Sequence, residues 1–142
     1  MLISTKGRYA LRVMIDLAEQ KKTEYVPLKE IAKRQNISQK YLESIMTILS
    51  KNNFIDALHG KGGGYRLNRE PEDYKIGELL RLTEGTLAPV TCLEYGAKPC
   101  NYASECRTLP MWSKLDEMIN GYLDSVSLAD LARLDPTDDY VI

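Results

Sequence analysis

The sequence predicts a mostly α-helical protein: two short helices meeting at a tight turn, a small β-hairpin after them, then a cysteine-bearing loop and one long amphipathic helix. Three observations carry this. Apolar residues recur at the i, i+3, i+4 spacing of a helix face through several stretches of the 142-residue chain. Gly60 and the glycines at 62–64 separate two short runs of strand composition. All three cysteines fall within positions 92–106, in a stretch that breaks the helical pattern on both sides and has too few aliphatic residues to pack a core of its own.

Taken in order, the first helix opens at Ser4 or Thr5, either of which can cap free backbone N–H groups. Tyr9, Ala10, Val13, Met14, Leu17 and Ala18 form its apolar stripe, and Lys6, Arg8 and Arg12 add positive charge toward its start. Two readings of that start stand side by side: solvated basic residues on a core helix, or an opening turn in which Thr5, Lys6 and Arg8 meet a phosphate. A polar linker, Lys21-Lys22-Thr23-Glu24, leads to Pro27 at or just before the second helix. That helix carries Leu28, Ile31 and Ala32 inward and Lys29, Glu30, Lys33 and Arg34 outward, and ends near Asn36.

Ser38 caps the third helix. There Tyr41, Leu42, Ile45, Met46, Ile48 and Leu49 share one arc, while Gln39, Lys40, Glu43, Ser44 and Thr47 fill the other. The pair joined through Gln35-Asn36-Ile37 is a helix–turn–helix, whose second helix puts hydrogen-bonding side chains in the turns that enter a major groove. Residues 54–58 read as a strand, 59–64 as a glycine turn and 65–67 as the returning strand, which completes a winged helix–turn–helix. At the turn, Gly60 permits close backbone approach while His59 and Lys61 can reach phosphate or the minor groove. The plainer alternative is a flexible loop without a partner.

A polar link at 70–73 precedes a helix over 75–83, with Ile76, Leu79, Leu80 and Leu82 apolar and Gly85 as its stop. Past the cysteine loop, Met111, Trp112, Leu115, Met118, Ile119, Tyr122 and Leu123 lie within an arc of about 140° on a helix of roughly four turns. Such a stripe is either core or a seam with the same helix of a second chain. A homodimer is preferred, because two-fold DNA sites are read by two-fold dimers. Ser127-Leu128-Ala129-Asp130 offers a capping box for a last helix through Leu134. The expected organisation is a winged helix–turn–helix at 1–84, a cysteine loop at 85–107, and a dimerisation helix with a C-terminal helix at 108–142.

Charge is unevenly spread. Through Arg69 there are thirteen Lys and Arg against six Asp and Glu; from Glu70 onward there are six against fourteen, for a net of −1. A basic first half suits a polyanion such as duplex DNA, although charge runs are commonly just solvated faces. With no leader-like start and no apolar run near the length of a membrane span, the expected location is cytoplasmic, without a membrane partner. An odd cysteine count in one short segment argues for thiolate chemistry in a reducing compartment rather than a disulfide framework. The sole histidine, His59, sits in the hairpin turn, so no Cys/His or Ser/His/Asp constellation supports an enzyme.

The cysteine spacing, C-x7-C-x5-C, lacks the close pairs of zinc ribbons and fingers. Three thiolates on a flexible loop can converge on an iron–sulfur cluster, which asks for four protein ligands. The residues alone leave three readings open: a cluster, a redox-active or metal-binding thiol set, and unliganded structural cysteines.

Several motifs together resemble the IscR-type regulators of the Rrf2 family, over nearly the whole chain. They are the opening Thr5-Lys6-Gly7-Arg8-Tyr9-Ala10, the entry Ile37-Ser38-x-x-Tyr41-Leu42-Glu43, the wing Gly60-x-Gly62-Gly63-Gly64-Tyr65, and three cysteines before the long helix. The resemblance implies a winged-helix repressor acting as a homodimer on pseudo-palindromic promoter DNA, with crossing long helices, recognition helices in major grooves and wings in minor grooves. It implies a cluster on Cys92, Cys100 and Cys106, 2Fe-2S in a sensor of iron–sulfur supply that controls cluster-biogenesis genes. A nitric oxide-sensing 4Fe-4S repressor of the same family and a thiol redox sensor are the alternatives. Ser38, Lys40, Tyr41 and Glu43 match recognition-helix positions, and His59 with Gly60 matches the wing tip. In the resembling branch the glutamate is tied to a switch between two classes of DNA site; a carboxylate accepts from a cytosine amino group and repels phosphate and acceptor-rich base edges. Two departures leave the fourth ligand unassigned among Glu94, Glu105, Asn101 or a residue elsewhere: Leu109 stands where IscR relatives have a histidine, and Arg8 where nitric oxide sensors have an acidic residue.

Overall fold

Local capping and helical periodicity set most of the architecture. The structure, a computed structural model, describes residues 2–20, 23–98 and 104–133. Its elements are α1 (Thr5–Ala18), α2 (Leu28–Gln35), α3 (Gln39–Lys51), β1 (Ile55–Leu58), β2 (Gly64–Leu67), α4 (Ile76–Glu84), α5 (Leu109–Ser125) and α6 (Leu128–Leu131). Ser4 caps α1, its Oγ accepting from the Gly7 amide at 3.2 Å, and Ser38 caps α3 by accepting from the Tyr41 amide at 3.2 Å. Asn36 turns the chain between α2 and α3 in the left-handed region, φ 54° and ψ 49°. Ser127 and Asp130 form the expected capping box at α6; Leu134 lies outside the described residues.

The core is one cluster. Ala10, Val13, Met14 and Leu17 of α1 meet Ile31 and Ala32 of α2, then Leu42, Ile45, Met46 and Leu49 of α3. Ile55, Ile76, Leu79 and Leu80 close it from below. Tyr41 is only half-buried, and Ile48 likewise, so the outer edge of the α3 stripe reaches solvent.

The hairpin is antiparallel, pairing Ile55 with Leu67, Asp56 with Arg66, Ala57 with Tyr65 and Leu58 with Gly64. β1 begins one residue later and β2 one residue earlier than expected. A Cβ on Gly64 would overlap the Val26 carbonyl, because Val26 and Tyr65 exchange backbone hydrogen bonds of 2.8 and 2.9 Å. The stretch before Pro27 thus adds a third strand position to the wing, ahead of helix α2.

Two features add to the expected picture. The 70–73 link contains a 3-10 turn, Pro71–Asp73, that delivers Tyr74 into the core, where its hydroxyl donates to the Phe54 carbonyl at 2.6 Å and accepts from the Asn68 amide at 3.0 Å. Arg34, expected outward, is exposed, and its guanidinium also pairs with the buried Asp16 carboxylate at 2.8 Å. At the other end, Ile76 N donates to the Val126 carbonyl and Leu128 N to the Tyr74 carbonyl, both at 2.9 Å, so the C-terminal segment is stitched under α4 and Leu128 is fully buried.

Candidate functional site

The residues expected to meet DNA occupy three places on the molecule. Thr5, Lys6 and Arg8 stand in the first turn of α1, with an Arg8 guanidinium N–H donating to Thr5 Oγ1 at 3.1 Å. Ser38, Gln39, Lys40 and Glu43 are exposed at the start of α3, and Tyr41 beside them is half-buried. His59, Gly60 and Lys61 are exposed at the tip of the hairpin. Gly60 has φ 92°, and the Gly63 amide closes the turn onto the Gly60 carbonyl at 3.0 Å.

One ring contact joins α1 to α3, and one electrostatic influence relates α3 to the wing. The Tyr9 ring of α1 meets the Tyr41 ring of α3 edge-on, centroids 5.7 Å apart. On the wing side, burial and then the nearby Glu43 carboxylate push the Tyr65 phenol above its usual range, which places Glu43 within electrostatic reach of β2. Among the described residues, Lys6, Arg8, Lys40 and Lys61 are in no ion pair, whereas Arg34, Arg66, Arg69 and Arg81 each pair with a carboxylate. Lys29, Lys33, Lys51 and Lys75 are, among the described residues, in no ion pair either, so unpaired cations are not confined to these places; those on α1, α3 and the wing tip are available to phosphate.

The cysteine loop begins where α4 ends. Gly85 caps α4 with φ 81°, and the chain then runs through a 3-10 turn at Thr91–Leu93 that carries Cys92 exposed. Cys106 is half-buried, just before α5, with its sulfur 3.5 Å from the Thr108 hydroxyl. Hydrogen bonds from that hydroxyl and from the amides of Thr108 and Leu109 lower the Cys106 thiol from its ordinary value, partly opposed by desolvation. Cys100 and Asn101 lie outside the described residues. Leu109 is the first residue of α5, and Glu94 and Glu105 both fall within the described loop. Among the described residues no group of three or more metal-ligating side chains comes together. The donor chemistry itself fits a cluster: Cys92 and Cys106 are both free thiols with access to solvent, and one is poised toward thiolate.

Helix α4, from which the loop departs, is fastened at two places. At its C-terminus, Glu84 Oε1 accepts from the Ser4 backbone amide at 2.7 Å and from Ser4 Oγ at 2.9 Å, and Gly7 supplies the space for that carboxylate. One turn earlier, Arg81 donates to Asn120 Oδ1 at 2.9 Å and to Asp124 Oδ1 at 2.5 Å on α5. These links were not legible in the sequence, since each joins residues about 40 to 80 positions apart.

Helix α5 has no buried residue. Ile119 and Leu123 lean on the core, while Met111 (54% exposed), Leu115 (37%), Met118 (59%) and Tyr122 (68%) form an apolar stripe on the outer face. No helix among the described residues is long and apolar enough to cross a membrane.

Residues 3–134 match the family described as Rrf2, iron-dependent transcriptional regulator. The HTH-type transcriptional regulator IscR of Klebsiella pneumoniae (strain 342) is 34% identical over 133 residues, which cover 94% of this chain and 80% of the relative. The IscR of Escherichia coli O1:K1 / APEC is 32% identical, with coverage of 94% and 81%. Among solved structures, CymR (YrzC), the global cysteine regulator of B. subtilis, is similar with a TM-score of 0.76 at 35% identity, covering 93% of this chain and 96% of that one. T. potens IscR follows the same fold with a TM-score of 0.71 at 36% identity, covering 92% and 85%. The match spans the helix–turn–helix, the wing, the cysteine loop and α5, and the chain belongs to the Rrf2 family of transcriptional regulators.

Proposed function

We propose that this regulator binds duplex promoter DNA as a homodimer and reads iron–sulfur supply through a cluster held by Cys92, Cys100 and Cys106, the state of the cysteine loop selecting which DNA sites are bound. The observation that carries the reading is the position of that loop. It spans from the cap of α4 to the start of α5, and α4 is fastened by Glu84 to the first turn of α1 and by Arg81 to α5. The division into a winged helix–turn–helix at 1–84, a cluster loop at 85–107 and a dimerisation segment at 108–142 belongs to the same proposal.

When bound, a 2Fe-2S cluster supplies a cross-link among thiolates that is lost when iron is short or the cluster is oxidised. The chain's own residues do the rest. Lys6, Arg8, Lys40 and Lys61 neutralise phosphates and set the register on the duplex, while Gln39, Glu43 and His59 face groove edges. Glu43 accepts from a cytosine amino group and disfavours acceptor-rich sequences, so it vetoes sites as well as reading them. The apolar stripe of α5 packs on its counterpart in a second copy, which brings two recognition helices onto a two-fold site.

Anaerobically purified protein is expected to carry about two iron and two sulfide per chain, with visible absorption that the C92A/C100A/C106A variant lacks. Four iron per chain would move the reading to the nitric oxide-sensing branch, and iron-free protein from iron-replete cells would sink the cluster. A second reading, thiol redox sensing, is favoured by the lowered Cys106 thiol and by similarity to the oxidised form of S. aureus CymR, TM-score 0.72 at 31% identity with coverage of 100% and 99%. It predicts loss of free thiol on mild peroxide treatment, reversed by a dithiol, in protein that never held iron.

A further inference from the structure

Asp16 is the one charged residue buried among the described residues, at 3% exposure. Its carboxylate accepts from Arg34 Nε at 3.0 Å, from an Arg34 terminal N–H at 2.8 Å and from Gln35 Nε2 at 2.8 Å. An ionised carboxylate only accepts, so the Gln35 amide is held in one orientation, NH2 toward Asp16 and Oε1 away from it. That Oε1 accepts from Arg12 Nε at 3.2 Å, and a second Arg12 N–H donates to the Gln35 backbone carbonyl. The orientation is self-consistent, because a guanidinium only donates.

The relay fixes a cation at a particular place. Gln35 is the last residue of α2, and Asn36 turns the chain to the Ser38 cap of α3. The Arg12 guanidinium also lies 5.0 Å from the centroid of the Tyr9 ring, and Tyr9 is edge-on to Tyr41. Arg12 is exposed and, among the described residues, in no ion pair; Asp16 is compensated by Arg34. Of the five N–H groups of Arg12, two serve Gln35, leaving three for an outside acceptor. A charged side chain normally loses rotamer freedom when it binds, and here that ordering is done in advance.

We propose that Arg12 is a DNA-backbone contact, set beside the entry of the recognition helix by the Asp16–Gln35 relay, and that it grips phosphate without reading sequence. The proposal rests on the reading that the first turns of α3 face DNA. A guanidinium fork matches phosphate oxygens and guanine alike; what favours phosphate here is that Arg12 is tied back to Gln35, side chain and main chain, rather than extended into a groove.

The test uses full-length protein, a duplex of about 30 base pairs enriched from a random library, and an unrelated duplex of the same length. Arg12→Gln should weaken both by a similar factor, about tenfold near 0.1 M salt, and make the slope of log affinity against log salt shallower by about one. Gln35→Met, which keeps the charge and the bond to the backbone carbonyl but removes the side-chain half of the tether, should lower affinity about twofold or more with the slope unchanged. Arg12→Lys, a milder change, should keep the slope and lose affinity. An unchanged slope in Arg12→Gln, or weakening confined to the enriched duplex, overturns the proposal. Lys40→Gln separates the two levels: if it weakens binding while Arg12→Gln does not, the Arg12 proposal fails alone; if it has no effect while Arg12→Gln does, the α3 reading fails instead.

Discussion

Asp16 shows how much one residue can settle. A carboxylate in the core is tolerated only when its lone pairs are filled, and Arg34 with Gln35 fills them. The hydrogen bond from Arg34 to Asp16 is the largest influence on that guanidinium and raises it above its already high range, against partial desolvation. Asp16→Asn removes the charge and turns an amide donor toward two donor groups. The expected cost is about 1–3 kcal/mol, seen as a melting point lowered by roughly 3–10 °C; a melting point within a degree of wild type would show that the network is not holding α1 to α2. Local signals made the caps legible: Ser4, Ser38 and Ser127 bond to amides three residues on, and short-range pattern reading catches this. Asp16 and Tyr74 were hidden because their partners lie far along the chain. An acidic residue next to a helical stripe reads as solvated until Arg34, eighteen positions later, is seen against it.

At the level of elements, periodicity placed α1 to α5 to within a residue or two, and the glycine cluster placed the wing. It did not show the Val26–Tyr65 and Lys75–Ser127 bridges, because isolated backbone pairs across long separations leave no periodic mark. Helix α5 is the element whose sequence and structure agree most instructively. One apolar arc was expected; the structure divides it, Ile119 and Leu123 against the core and Met111, Leu115, Met118 and Tyr122 toward solvent. An outer stripe at spacings of four, three and four, on the last long helix, is the surface a second copy would cover. Met118→Glu places a charge at its centre without touching the core. By sedimentation, wild type is expected as a dimer and Met118→Glu as a folded monomer at micromolar concentration; a variant that stays dimeric would move the interface away from α5.

For the whole molecule, the arrangement is a chain of attachments from the cysteine loop to the face proposed to meet DNA. The loop connects α4 to α5; α4 is tied to α1 by Glu84 and to α5 by Arg81; α1 is tied to the end of α2 through Arg12 and Gln35, and to α3 through the Tyr9–Tyr41 contact. None of these bonds is large, since exposed hydrogen bonds and ion pairs contribute about a kcal/mol or less each. Small differences suffice, because a tenfold change in site preference is about 1.4 kcal/mol. The loop's cysteines were visible in the sequence, but their spacing alone left cluster, thiol set and unliganded cysteines open, because spacing does not say which side chains converge in space or which fourth residue would join them. The most direct test enriches duplexes from a random library with anaerobic, cluster-loaded wild type and, in parallel, with the C92A/C100A/C106A variant, then measures both proteins on both winning sequences. The account predicts two classes of site, with relative affinity for them differing by about tenfold or more between the two proteins. Identical winners, with relative affinities matching within about twofold, would contradict it.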